Sequence, residues 1–233
     1  MENNLIFYNF ELEQAVRDEL LIYDRPITTA DALNVFNLDC SNFSFDARDY
    51  EALKAFKNLV SLDINTRADE LNFLNFLPLL EVLYLETWST DNYVDFNCFS
   101  NLKSLRTLTV SGGLYSDIQF RNLEGLKTLK NLKGLTLHEF GDVDLSSLRE
   151  MPWLEDFCCC YGCCVENVSA ISSIVNLKGL SLIDFEVDNL EFLDSFSDEL
   201  VVELSAMRVK QGIDYSKLSR FTKGDFDDIE SIY

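Results

Sequence analysis

The chain has 233 residues, enough for one domain with a well-buried core, and its 47% hydrophobic content is typical of a globular protein. Its 19 lysine and arginine residues against 40 aspartate and glutamate residues give a formal net charge of −21. Phosphate recognition depends on clustered cations, so we expect no nucleic-acid partner. No stretch approaches the roughly 18 to 20 apolar residues that span a bilayer, so we expect no membrane partner either.

The residue content also indicates a cell compartment. The N-terminal sequence MENNLIFYNFELEQ has no basic leader and only a short apolar run, so we expect no secretory signal peptide and a cytoplasmic protein. The seven cysteines are an odd number, and five of them fall within the seven residues from Cys158 to Cys164. A disulfide-stapled secreted scaffold spaces its cysteines along the chain, so we interpret these as reduced thiols.

The first predicted element is an N-terminal helical cap at residues 1–32. The sequence LEQAVRDELLIY places five apolar side chains on one helical face: Leu12, Ala15, Val16, Leu20 and Leu21. Pro26 then breaks the helix ahead of the next segment. Such a helix covers the open end of a stack of repeats, whose terminal units would otherwise expose an apolar face.

A six-residue pattern recurs through residues 33–209, with apolar residues at its first, fourth and sixth positions. Its copies are LNVFNL (33), LVSLDI (59), LEVLYL (80), LRTLTV (105), LKGLTL (132), LEDFCC (154), LKGLSL (177) and VVELSA (201). Successive copies start 21 to 27 residues apart, within the range of about 20 to 29 residues that is typical of leucine-rich repeats. The pattern predicts eight coils, each with one short strand.

A second apolar pattern, with a spacing of three, lies between these strands. Its clearest copies are Leu71, Leu74, Leu77; Leu145, Leu148, Met151; Val168, Ile171, Ile174; and Leu190, Leu193, Phe196. This spacing favours a helical or 3₁₀ turn on the outside of each coil. The two patterns together predict an α/β fold, a right-handed, curved leucine-rich repeat solenoid with a parallel inner β-sheet.

Residues 210–233 are expected to form a C-terminal cap that continues the single domain. Ile213, Tyr215, Leu218 and Phe221 continue the outer pattern of the eighth coil. Beyond them, Phe226, Ile229 and Ile232 fit either a closing turn or a ninth strand, and the pattern does not decide between the two.

The cap and the repeats resemble the bacterial leucine-rich repeat family of internalin-like type. The resemblance covers about residues 10 to 210 and includes the cap, in which LEQAVRDEL is followed by PITTADALNVFNLD. It implies a helix and a first coil of the kind that those proteins share.

The solvent-facing side of the inner sheet, called here the concave face, is the predicted partner-binding surface. Because side chains alternate along a strand, the fifth and seventh repeat positions face solvent in two columns. The fifth-position column runs Asn37, Asp63, Tyr84, Thr109, Thr136, Cys158, Ser181 and Ser205, and the seventh runs Asp39, Asn65, Glu86, Ser111, His138, Cys160, Ile183 and Met207. We expect binding at Tyr84, Glu86, Trp88, Thr109, His138, Cys158, Cys160, Tyr161 and Ile183, together with rim loops 87–95, 112–117 and 161–164.

One constellation could carry chemistry. His138 and Cys160 share a column on adjacent coils, which places their side chains about 5 Å apart, and Cys160 and Cys163 have the spacing of a zinc knuckle or redox pair. A convincing zinc site needs a second such pair or paired histidines, and His138 is the only histidine. Without such a site, Cys159 fills the core position of coil six and its neighbouring cysteines are small surface residues. We therefore expect no metal, no cofactor and no enzymatic activity.

These observations favour a protein–protein interaction module: a scaffold, an adaptor or an inhibitor. The acidity favours a basic partner, such as an enzyme that the chain would inhibit. Two alternatives stay open. One is a thiol or zinc-dependent enzyme that uses Cys160 and His138, and the other is a surface adhesin whose export signal is absent from this sequence.

Overall fold

The protein is a right-handed solenoid built around a parallel sheet. The structure, a computed structural model, describes residues 3–45, 48–88, 92–113, 117–221 and 224–231. Its strands are β1 (Asn37–Ser44), β2 (Ser61–Arg67), β3 (Val82–Trp88), β4 (Tyr93–Asp95), β5 (Thr107–Ser111), β6 (Gln119–Arg121), β7 (Gly134–Asp144), β8 (Asp156–Glu166), β9 (Gly179–Ile183), β10 (Glu186–Val187), β11 (Val201–Ser205), β12 (Arg208–Val209), β13 (Gly224–Asp227) and β14 (Glu230–Ser231).

The inner sheet takes one strand from each coil in chain order. Its order is β1-β2-β3-β5-β7-β8-β9-β11-β13, and all neighbouring strands are parallel. Within the described ranges it therefore has nine strands, where the repeats alone predict eight. The open choice at Phe226 is decided in favour of a strand, since β13 pairs with β11 over four residues. Ile232 lies outside the described residues.

The N-terminal segment forms a helix with a buried apolar face, as the sequence predicts. Helix α1 spans Phe10–Leu20, and Asn9 caps it by accepting a hydrogen bond from the Leu12 amide at 3.1 Å. Leu12 and Val16 are buried against the first coil. The expectation that Leu21 shares this buried face is wrong, because the helix ends at Leu20 and Leu21 takes a left-handed conformation that exposes its side chain.

Short helices close the outside of the coils, as the spacing of three predicts. They are the 3₁₀ helices Asp31–Asn34, Ala68–Phe76, Phe96–Phe99, Leu123–Thr128, Leu145–Glu150, Val168–Ser173 and Glu191–Ser195, with the α-helices α2 (Asp49–Leu53) and α3 (Tyr215–Leu218). Leu74, Leu148, Ile171 and Leu193 are buried in the core, which confirms the outer pattern. Tyr215 is exposed and does not continue it.

The strand register corrects the first and last predicted coils by two residues. Asp39, not Asn37, pairs with Asp63 in the fifth-position column, since Asn37 lies opposite Ser61. The buried residues of coil one are Val35, Leu38 and Cys40. The misassigned Leu33 and Phe36 are exposed. Cys40 thus takes the third apolar position of the repeat in coil one, and a search for leucines at that position does not detect it.

Coil eight shows a two-residue shift in the opposite direction, toward the N-terminus. Glu203 pairs with Ser181 and Ser205 pairs with Ile183, so these two residues occupy the fifth and seventh columns. Met207, predicted in the seventh column, is buried. The concave face therefore gains a carboxylate at its C-terminal end and loses an exposed methionine.

A bend separates the inner sheet from a second row of strand pairs. Among the described residues at this bend, five that are not glycine have positive φ: Glu139, Tyr161, Asp184, Ala206 and Asp228. Beyond it β7 and β8 pair again from Phe140–Gly162 to Asp144–Glu166, and β10, β12 and β14 form a separate parallel sheet. Left-handed backbone turns the chain sharply. The bend places the side chains of these residues at the rim of the concave face.

Phenylalanine rings and asparagine amides tie consecutive coils together. The ring centroids of Phe96 and Phe120 are 5.3 Å apart, and those of Phe120 and Phe140 are 5.0 Å apart. Just before the strand repeats, asparagine amides donate to backbone carbonyls of the preceding coil over 2.7 to 2.9 Å: Asn58 to Leu33, Asn131 to Lys103 and Asn176 to Pro152. The coils are thus joined by backbone pairing, aromatic packing and side-chain bonds.

Candidate partner-binding surface

The inner sheet carries the predicted binding residues in aligned columns. After correction, the fifth-position column is Asp39, Asp63, Tyr84, Thr109, Thr136, Cys158, Ser181, Glu203 and Asp225. The seventh-position column includes Glu86, Ser111, His138, Cys160, Ile183 and Ser205. The predicted residues on the strands therefore lie on adjacent rungs of one rigid sheet.

Three aromatic rings stand out from this surface. Tyr84 is 51% exposed in the middle of β3, Trp88 is 44% exposed at the end of the same strand, and Tyr161 is 48% exposed at the bend within β8. The guanidinium of Arg67 lies 5.4 Å from the Trp88 ring centroid, in cation–π geometry. The neighbouring loop residues 89–91 and 114–116, which belong to the predicted rim, lie outside the described residues.

Two predicted binding residues are covered instead of exposed. Thr109 is 5% exposed and Cys160 is 4% exposed, although both occupy solvent-side columns. Thr109 lies beside the larger Tyr84, and Cys160 lies between His138 and Ile183. On a sheet whose strands are about 4.8 Å apart, small side chains are shielded by larger neighbours in the same column.

Carboxylates concentrate at the N-terminal end of the concave face. Burial raises the pKa of Asp63, and the charges of Asp39 and Glu86 raise it further. Ser41 donates hydrogen bonds to Asp39 from its hydroxyl at 2.7 Å and its amide at 3.0 Å, and these bonds lower the pKa of Asp39. Like charges placed this close repel one another, so a cationic group nearby would be favourable at this end of the concave face.

A polar cluster surrounds the single histidine. His138 Nδ1 lies 3.4 Å from both Ser111 Oγ and Glu139 Oε2, and the Ser111 hydroxyl is placed to donate to Glu139 at 3.3 Å. The rings of His138 and Tyr161 meet edge to face at 5.2 Å. In a serine–histidine–acid relay the serine and the acid bind different ring nitrogens. Here both contact the same nitrogen, so the geometry orients His138 and Tyr161 and does not form a relay.

The cysteine cluster is arranged differently from the predicted His138–Cys160 pair. The register does place these two residues side by side, but the Cys160 sulfur lies 3.8 Å from the Cys158 sulfur and 3.8 Å from the Leu137 carbonyl oxygen. Cys160 is buried and Cys163 is exposed beyond the bend at Tyr161. Within the described ranges, no three His, Cys, Asp or Glu side chains form a group that could hold a metal ion.

Comparison with known proteins identifies the fold. No protein-family model matches the sequence, and no curated protein is detectably similar to it. Among solved structures, internalin C2 of Listeria monocytogenes superposes with a TM-score of 0.76 at 18% identity, over 98% of this chain and 97% of that one. Internalin F of the same organism gives a TM-score of 0.65 at 15% identity, over 99% and 73% of the two chains.

This chain has the internalin-like leucine-rich repeat fold. A structure of the Arabidopsis receptor kinase HAESA ectodomain in complex with a peptide hormone ligand is also similar, with a TM-score of 0.58 at 16% identity. It matches 77% of this chain and 31% of that one. The family resemblance of the sequence is thereby confirmed at the level of fold. None of the helices in the described part of the chain is long and apolar enough to cross a membrane.

The protein also holds a cleft that the sequence pattern does not predict. β8 pairs with β9 only as far as Cys160 among the described residues, so the strand edge at residues 162–166 faces β10 across a cleft of about 670 Å³. Lys210 lines this cleft, and its ammonium nitrogen lies 2.9 Å from a carboxylate oxygen of Glu186 and 3.2 Å from one of Asp188. No sequence signal marks the cleft, because it arises where the inner and second sheets separate.

Proposed function

We propose that this leucine-rich repeat protein is a protein-binding module whose partner docks on the concave face and its rim. The observation that carries the proposal is the display of Tyr84, Trp88 and Tyr161, each about half exposed, on one rigid sheet. Exposed aromatic residues are enriched among the residues that dominate binding energy. The peptide ligand in the HAESA complex supports the same use of this fold.

The size of the surface requires the rim to take part. Nine strands about 4.8 Å apart and three alternate positions about 13 Å long give a flat area of about 500 Å². A standard interface buries about 800 Å² on each partner. Trp88 and Tyr161 lie at the edge where the strands bend away, so they extend the concave face toward the required area.

We further propose that the partner is a basic protein, and that this chain acts as its scaffold, adaptor or inhibitor in the cytoplasm without catalysis of its own. The net charge of −21 favours encounter with a cationic surface. Asp39, Asp63 and Glu86 give the concave face a local acidic end where such a surface would relieve their mutual repulsion. Nucleic acid and membrane are not proposed as partners.

Capture from native lysate followed by affinity measurement tests the proposal. Tyr84→Ala, Trp88→Ala, His138→Ala and Tyr161→Ala are compared with Tyr215→Ala, which removes a ring that is 62% exposed on α3. At least one concave variant should lose about tenfold or more in affinity for the captured protein, or about 1.4 kcal/mol. Tyr215→Ala should bind as the wild type does. Loss of binding only in Tyr215→Ala would contradict the proposal.

A further inference from the structure

Two thiols meet on the concave side of β8. Cys158 and Cys160 are two residues apart on this strand, so their side chains point to the same side of the sheet. Their sulfur atoms lie 3.8 Å apart. The intervening Cys159 faces the opposite way and is fully buried in the core. The strand thus pairs two of its three consecutive cysteines and sequesters the third.

The paired thiols differ in access and in proton affinity. Cys158 is half-buried and Cys160 is buried, so an oxidant reaches Cys158 first. The hydrogen bond from Cys160 lowers the pKa of Cys158, and the contact with Ser181 lowers it further. The same bond, with burial, raises the pKa of Cys160. Redox-sensitive cysteines are accessible thiols of lowered pKa with a second thiol close by.

We propose that Cys158 and Cys160 form a redox-sensitive pair that a hydroperoxide converts reversibly into an intrastrand disulfide. The Cys158 thiolate attacks the peroxide, the O–O bond breaks, and Cys158 becomes a sulfenic acid while the alcohol or water leaves. The Cys160 thiol then attacks the Cys158 sulfur and expels water. In total, two thiols and one hydroperoxide give one disulfide, one alcohol or water and one further water.

The backbone spacing allows this bond at the edge of its usual range. Two residues of strand span about 6.6 Å between Cα atoms, and disulfides join Cα atoms about 4.4 to 6.8 Å apart. A bond at the long end of this range is strained and therefore readily reduced. The bend at Tyr161 follows directly after Cys160 and interrupts the regular strand geometry there. The disulfide would accordingly be a reversible modification and not a structural staple.

The other cysteines of the cluster lack this combination. Cys163 and Cys164 are exposed beyond the bend. Burial raises the pKa of Cys164, and the nearby carboxylates of Asp142 and Glu166 raise it further. The proposal concerns the protein alone and does not depend on the proposed function. Because both thiols occupy concave columns, however, the disulfide would alter the surface proposed to bind the partner.

Hydrogen peroxide treatment of the reduced full-length protein, followed by peptide mass mapping, tests the pair. The wild type should lose two hydrogens within the peptide that contains both residues, and dithiothreitol should restore them. Cys160→Ser should instead accumulate a sulfenic acid on Cys158 that dimedone traps. Cys158→Ser should form no disulfide at Cys160. Cys163→Ser is the matched control in the same strand and should behave as the wild type.

The rates give a second criterion. At neutral pH, Cys158 should be oxidised at least about tenfold faster than the exposed Cys164, because the pKa of Cys158 is lowered by its bond with Cys160 while burial and nearby carboxylates raise the pKa of Cys164. Thermal unfolding checks that each serine variant is folded. A disulfide that includes Cys163 or Cys164, equal rates for Cys158 and Cys164, or sulfenic acid on Cys158 that persists in the wild type would overturn the proposal.

Discussion

At the scale of single residues, close packing between coils limits which side chains fit. Gly162 lies opposite Phe140 on adjacent strands. A Cβ at residue 162 would lie 2.5 Å from two carbon atoms of the buried Phe140 ring and 3.1 Å from Val165. Only glycine leaves room for the ring at this point, and the ring belongs to the aromatic packing between coils.

Gly162→Ala should destabilise the protein by about 1 to 3 kcal/mol, because the ring must move within a filled core. Gly134→Ala is the matched control, since its Cβ would find its nearest neighbour, a Thr107 side-chain atom, at an ordinary 3.6 Å. Chemical denaturation measures both variants. If the two substitutions cost the same, the close contact at Phe140 does not determine stability.

Asp63 links stability to the proposed binding role. Burial and the charges of Asp39 and Glu86 raise its pKa above the ordinary 3.8. A raised carboxyl pKa means that the native state holds the proton more tightly than the unfolded chain does. Stability is therefore lost as the pH rises from the ordinary value through the raised one. Asp63→Asn should thus stabilise the fold at pH 7, by up to about 0.5 kcal/mol for a half-exposed group.

Unfolding measured from pH 3 to pH 7 checks this sign. The advantage of Asp63→Asn should shrink as the pH falls to about 3, where the wild-type carboxyl is protonated. Asp39→Asn should do the reverse and destabilise at pH 7, because the hydrogen bonds from Ser41 lower the pKa of Asp39. Equal effects of the two substitutions, or effects independent of pH, would show that the acids do not repel one another.

At the scale of elements, the asparagine bonds between coils repeat along the solenoid. The Asn131 amide donates to the Lys103 carbonyl at 2.9 Å, in the same way that Asn58 and Asn176 donate to the coils before them. Asn131→Asp keeps the shape and removes the donor, so it should cost about 0.5 to 1.5 kcal/mol in free energy of unfolding. Asn131→Gln retains the donor and is the comparison. An unchanged midpoint in Asn131→Asp would show that this bond adds nothing to coil stacking.

The repeat elements were predictable from the sequence where leucines mark them, as in the strands around Leu83 and Leu135. The register of coil one was not, because the readings that start at Leu33 and at Val35 both place three apolar residues at the required spacing, and the second depends on Cys40. The bend was missed because residues such as Tyr161 carry no glycine signal for a positive φ.

The candidate site was predictable in position but not in exposure. The alternation along each strand places Tyr84 and His138 on the solvent side, and the structure agrees. Burial of Thr109 and Cys160 depends on the sizes of their neighbours in adjacent coils, which a pattern within one repeat does not contain. The Cys158–Cys160 contact follows from side-chain orientation within one strand, and the sequence reasoning favoured His138 as the partner of Cys160 instead.

At the scale of the whole molecule, the acidity predicts how the partner arrives. The negative field should accelerate encounter with a basic protein, so the association rate should fall steeply as salt rises from about 0.05 to 0.5 M, while dissociation changes less. Screening over a Debye length of about 8 Å at physiological ionic strength is the cause. Association kinetics with the captured partner measure this. A flat rate, or an acidic partner, would contradict the basic-partner proposal and leave the binding module in place.

Hydroxyl-radical footprinting of the complex tests most directly whether the partner covers the concave face. Tyrosine and tryptophan rings report on both sides of the solenoid in one experiment. Binding should slow the oxidation of Tyr84, Trp88 and Tyr161 and leave that of Tyr215 on α3 unchanged. Protection of Tyr215, with the three concave and rim rings oxidised as fast as in the free protein, would contradict the account.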